Sequence, residues 1–89
     1  MIIYDEVKRQ ANLLKHGLDL LDATLVYHAP NKVTLESPRG NEARLMDIAL
    51  VEVMGVVLAL VYVERGNEVR AISLRPASKV ERRLYENSK

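Results

Sequence analysis

Cysteine, tryptophan and phenylalanine are absent from this 89-residue chain, and its four aromatic residues are all tyrosines. Without cysteine there are no disulfides and no thiolate zinc sites, which suits a reducing compartment; a cytoplasmic location is expected. Histidine occurs only at positions 16 and 28. The two lie on either side of Gly17 with no carboxylate at a ligand spacing, so no metal is expected, and no cofactor. A long hydrophobic run is also missing. The longest, VMGVVLALVYV at residues 53–63, is about half the ~20 residues a membrane-crossing helix needs, and its valines between turn signals read as a central strand. The opening MIIYDEVKRQ has no basic segment leading into an apolar one and does not read as a secretory signal. P-loop, dinucleotide and Ser-His-Asp patterns are absent too, which narrows any enzymatic reading to phosphodiester chemistry.

What is present is an ordinary globular composition, 48% hydrophobic and 28% charged, and a length that fits one domain over residues 1–89. The net charge of +1 conceals an uneven distribution: residues 1–17 sum to +1, residues 18–64 to −4 and residues 65–89 to +4. A basic end set against an acidic middle offers a polarised face that attracts phosphates; solvated charge for solubility is the plain alternative.

Ile2 to Tyr4 fit a short first strand. Asp5 is a suitable N-cap for a helix carrying Val7, Ala11 and Leu14 on a core stripe, with Lys8, Asn12 and Lys15 on another. Gly17 supplies the left-handed stop. A second helix is expected over residues 19–28, with Leu21 and Leu25 inward, ended by Pro30 and Asn31. Strands follow at KVTLES, at residues 42–53, at residues 56–65 and at residues 69–74, with Gly66-Asn67 as a two-residue hairpin loop. Ser78 with Glu81 forms a capping box for a last helix docked by Val80, Leu84 and Tyr85. The expected fold is α+β: two N-terminal helices, a four-stranded antiparallel sheet with room for a short extra N-terminal strand, and a C-terminal helix. From the loop, Arg65 should pair with Glu68, Val61 with Ile72 and Ala59 with Leu74. That register puts Glu64, Ser73 and Arg75 on one sheet face and Val61, Val63, Arg70 and Ile72 on the other.

The segments YDEVKRQANLLKHG and YVERGNEVRAISLRPASKVERRLYE together resemble the BrnT family of type II toxin–antitoxin systems, a branch of the RelE-like small ribonucleases. The residues carrying the likeness are Tyr4, Asp5, Lys8, Asn12, Lys15, His16 and Gly17, then Arg39 and Gly40. They are followed by Glu64, Arg65, Gly66, Arg70, Ile72, Ser73, Arg75, Ala77 and the Glu81 to Arg83 run. Two positions depart from the pattern: Tyr4 stands where Trp or Phe is common, and Pro76 where a second Arg is usual. The resemblance implies a RelE-like toxin domain acting as an RNA endonuclease that inhibits translation. Its implied partners are an RNA substrate and a BrnA-like DNA-binding antitoxin, through which alone the toxin reaches operator DNA. A homodimer and a heterotetramer with the antitoxin are both open, and no membrane association is implied. A catalytically degenerate homologue serving as a protein-binding co-repressor subunit is the alternative, motivated by Pro76.

RNA supplies its own nucleophile in the 2′-hydroxyl, so a metal-independent ribonuclease needs a base, cations for the charge developing at phosphorus, and an acid for the leaving oxygen. Glu64 fits the base, unless it merely pairs with an arginine. Arg70 and Arg75 fit bidentate phosphate contacts, Lys15 a point charge, and His16 a proton donor. Those five form the candidate catalytic set, with Tyr4, Lys8 and Arg65 as RNA-binding residues. Lys15 and His16 also suit a helix C-terminus through the macrodipole alone. The expected register separates Glu64 and Arg75 from Arg65 and Arg70, so a pocket holding all four requires a strand end, a bulge or a different loop.

Overall fold

A computed structural model describes residues 2–88. Strand β1 (Ile2–Ile3) is followed by helix α1 (Glu6–His16), a 3-10 turn (Leu20–Asp22) and the short helix α2 (Ala23–Tyr27). Strands β2 (Val33–Glu36), β3 (Leu45–Val51), β4 (Val56–Arg65) and β5 (Glu68–Pro76) come next, and helix α3 (Lys79–Asn87) closes the chain. The sheet has five strands in the order β1-β5-β4-β3-β2. β2 to β5 form the expected antiparallel meander, whereas β1 pairs parallel with β5, Ile2 opposite Val69 and Ile3 opposite Arg70, so the sheet is mixed. The expected second helix is shorter and split. Asp19 accepts from the Leu21 N–H at 2.9 Å and caps a 3-10 turn, so the α-helix proper starts only at Ala23.

The caps follow local chemistry. Asp5 accepts from the Val7 N–H at 2.7 Å, and Gly17 ends α1 at φ 69° with its N–H donating to the Leu13 carbonyl. Ser78 and Glu81 make the reciprocal capping box of α3. In the hairpin between β4 and β5 the left-handed residue is Gly66, at φ 59°, the position a type II′ loop reserves for glycine.

The core lies on one sheet face, where Leu58, Leu60, Tyr62, Ala71 and Leu74 meet Leu20, Ala23 and Val26. Leu20 and Val26 are buried in place of the expected Leu21 and Leu25, which are exposed: Leu20, Ala23 and Val26 recur every three positions, the period of the 3-10 turn that opens the segment. Asp47 is fully buried on this face, accepting from Lys32 Nζ at 2.7 Å, from the Thr34 hydroxyl at 2.6 Å and from the Tyr62 hydroxyl at 3.0 Å. Lys32 also sits 4.2 Å above the Tyr27 ring, which meets Tyr62 edge to face. Burial first, and the Asp47 charge second, push the Tyr62 phenol well above its ordinary range.

Helix α1 reverses the expectation. Its stripe of Val7, Ala11 and Leu14 faces solvent, and the buried residue is Asn12. The reason lies in β5. β1 covers that strand only at Val69 and Arg70, so further along the edge the Leu74 backbone needs another partner. The Asn12 amide supplies it: Nδ2 donates to the Leu74 carbonyl at 2.8 Å and Oδ1 accepts from the Leu74 N–H at 3.0 Å. A third bond, Nδ2 to the Leu18 carbonyl at 2.8 Å, ties in the turn after α1. Arg9 adds a two-pronged contact to Asp19 at 2.8 and 3.0 Å. In α3, likewise, Tyr85 alone is buried, while Val80 and Leu84 stay exposed.

Candidate nucleic-acid interface

The register of the β4–β5 hairpin decides which side chains meet. Arg65 is opposite Glu68 as expected, Val63 opposite Arg70 and Tyr62 opposite Ala71; the next pair is Val61 with Ser73. Ile72 is therefore the extra residue of a β-bulge, and the expected pairing of Val61 with Ile72 is corrected. Because directly opposed residues share a face, this one residue moves Ser73 and Arg75 onto the face of Val61, Val63, Arg65 and Arg70. Glu64, opposite Val69, stays on the other face.

On the face turned away from α2, two adjoining hollows meet at Ser73. One is lined by Lys8, Ala11, Asn12, Lys15 and His16 of α1 with Ile72 and Ser73 of the bulge. The other is lined by Ser37, Pro38, Arg39 and Arg44 from the β2–β3 connection, Met46, Val61, Ser73 and Arg75. The connection folds back at Gly40, φ 60°, with Arg39 and Glu42 bridged through their backbones. Arg39 and Arg44 were not among the sequence-based site residues; the signal was there in SPRGNEAR, a tight turn with an arginine at each end. Glu42 accepts from Arg44 and lies 3.8 Å from Arg65, and these cations, with Lys8, hold its carboxyl below the usual range.

His16 lies in the field of both Lys15 and Arg75. Partial burial and then these two charges push its imidazole pKa below the ordinary 6.5, so the ring is neutral at pH 7. Arg75 is fixed rather than free: its Nη atoms donate to the two carboxylate oxygens of Glu81 at 2.7 and 2.8 Å. The donation from Arg75 brings the Glu81 carboxyl down to about 2. Pro76 fits this edge. The Ala77 N–H donates to Val57 of β4 and the Leu74 N–H to Asn12 on the opposite side, so alternation points the Pro76 nitrogen outward, where no ladder bond is lost.

Of the eight sequence-based site residues, the fold thus brings Lys8, Lys15, His16 and Arg75 around one surface. Arg65 and Arg70 are exposed on the same sheet face toward the hairpin end. Tyr4 is half-buried against the core. Glu64 lines a neighbouring hollow with Glu36, Ala43 and Leu45, which shares Pro38 and Arg44 with the second hollow and has no residue of α1 in its lining. Among the described residues no group of three or more His, Asp or Glu side chains is placed to hold a metal ion, and no helix is long and apolar enough to cross a membrane.

A small α+β domain with arginines, lysines and one neutral imidazole over an open sheet face has the makings of a phosphate-binding protein. The chain belongs to the BrnT family: the family model for the ribonuclease toxin BrnT of type II toxin–antitoxin systems matches residues 4–81. Membership implies a protein antitoxin as partner. A comparison with curated proteins returns no match.

Proposed function

We propose that this chain is a metal-independent RNA endonuclease that inhibits translation in the cytoplasm and is neutralised by a BrnA-like DNA-binding antitoxin. The observation that carries the reading is the bulge at Ile72, which sets Ser73 and Arg75 on the sheet face that α1 overlooks with Lys15 and His16. RNA enters along the two hollows, its phosphates held by Lys8, Lys15, Arg39 and Arg44. The neutral His16 takes the proton of a 2′-hydroxyl, rather than giving one as its sequence context suggested, because partial burial and then its two cationic neighbours favour the unprotonated ring. The 2′-oxygen forms a bond to phosphorus, the bond to the 5′-oxygen breaks, and solvent protonates the departing oxygen. Lys15 and Arg75 offset the added charge on the phosphoryl oxygens. The products are a 2′,3′-cyclic phosphate and a 5′-hydroxyl end.

Glu64 enters this scheme as a surface charge on the far face, not as the base. The Arg75–Glu81 pair together with Pro76 favours the second reading, a degenerate toxin retained as a co-repressor subunit, since the guanidinium is already engaged. Expression without the antitoxin separates the two. The endonuclease arrests growth and leaves cyclic phosphate ends on RNA in the presence of EDTA, and His16→Ala relieves both; the co-repressor does neither.

A further inference from the structure

Helix α1 is amphipathic in the sense opposite to its place in the fold. Its buried side chain is an amide, while Val7 is 77% exposed and Leu14 is 91% exposed. Seven positions apart, the two lie on one helix face about 10 Å from each other, with the exposed Ala11 between them. Single exposed apolar residues are ordinary, but a stripe at helical spacing that the chain's own core does not use marks a contact face. One border of the stripe is formed by Lys8 and Lys15, which also line the hollow beside Ser73. Neither lysine makes an ion pair among the described residues. On the other border the one carboxylate, Glu6, is already answered by Arg9 at 3.0 Å. The field along the stripe is therefore positive on the side that faces the hollow.

We propose that this face of α1 docks the antitoxin, which presents an amphipathic helix with apolar residues two turns apart and acidic residues along the flank that meets Lys8 and Lys15. The inference rests on the toxin–antitoxin reading of the partner, but not on RNA cleavage. An apolar stripe without an aromatic offers unpaired bases no stacking surface, whereas a helix supplies complementary apolar side chains at the same spacing. A helix seated there lies on the rim of the cationic hollow and engages the two lysines that RNA would use. Docking and inhibition are then one event.

The test uses the full chain made by chemical peptide synthesis and refolded, titrated with the purified BrnA-like antitoxin. Val7→Asp and Leu14→Asp should each weaken binding about 30-fold or more, with circular dichroism and melting temperature unchanged because both sites are exposed. Leu21→Asp, an exposed apolar site elsewhere, should change binding less than about twofold. The double variant Lys8→Glu, Lys15→Glu should weaken binding and flatten its salt dependence. RNA cleavage by Leu14→Asp should equal that of the unaltered chain. If no variant cleaves RNA yet Leu14→Asp still loses the partner, the ribonuclease reading falls and the docking face stands. Undiminished binding by both aspartate variants overturns the docking face, as does a partner that never binds the unaltered toxin. A free toxin that sediments as a dimer and becomes monomeric on Leu14→Asp overturns it too, assigning the stripe to a second copy.

Discussion

At the scale of single residues, Asn12 does the work of a missing strand. Asn12→Ala leaves the Leu74 N–H and carbonyl without partners in a buried place and should cost about 2–4 kcal/mol, measured by urea unfolding. Asn12→Asp should be no milder, because it cannot donate to the two carbonyls. Lys32→Ala leaves the fully buried Asp47 carboxylate with its two hydroxyl donors but no counter-charge and should cost about 3 kcal/mol. Glu81 makes a pH prediction. Its carboxyl titrates near 2 in the fold against 4.5 ordinarily, so its contribution to stability is complete above about 4.5 and is lost as pH falls toward 2. Glu81→Gln should make the acid limb of stability between those values shallower without removing it, since Asp19 and Glu42 are also depressed by arginine partners. The capping roles of Asp5, Gly17, Ser78 and Glu81 were legible in the sequence because a cap is a contact between near neighbours. The pairing of Asn12 with Leu74 was not, because it joins positions far apart in the chain.

At the scale of elements, the hairpin and the helices fail to follow periodicity for identifiable reasons. The two-residue loop at Gly66-Asn67 set the first hairpin pairs correctly, yet counting onward from it cannot anticipate Ile72 dropping out of the ladder. Before the bulge is known, Arg75 falls on the wrong face, which is why the sequence-based residues could not be assembled into one surface. In α1, hydrophobic periodicity identified a helix correctly and its inward face incorrectly, since backbone pairing at the β5 edge outweighed the burial of Val7 and Leu14. Leu14→Ala accordingly should change stability by less than about 0.5 kcal/mol, whereas a core leucine would lose about 2–5 kcal/mol. Thermal unfolding distinguishes the two outcomes directly.

At the scale of the whole molecule, the near-neutral net charge conceals a sheet face rich in cations, on which Glu42 and Glu81 are already paired with arginines. If RNA binds across both hollows and neutralises about four phosphates, log affinity should fall with log salt at a slope near −3, and Arg39→Gln or Arg44→Gln should each reduce that slope by about 0.7. Arg44→Gln also releases Glu42, which then faces Arg65 and Lys8 alone, so its effect on affinity should exceed that of Arg39→Gln. The overall class, helices packed on an antiparallel meander, was legible from turn chemistry and strand spacing. The parallel β1 was not distinguishable from a frayed start, because two residues carry too little pattern.

The most direct test of the central claim is the pH dependence of RNA cleavage, with EDTA present, by the antitoxin-free protein and its His16→Ala, Arg75→Gln and Glu64→Gln variants. The account predicts that the unaltered chain cleaves to 2′,3′-cyclic phosphate ends with an acidic limb below pH 6.5, that His16→Ala and Arg75→Gln each lose at least about 100-fold, and that Glu64→Gln stays near full activity. Undiminished cleavage by His16→Ala and Arg75→Gln, with activity abolished by Glu64→Gln, would contradict it.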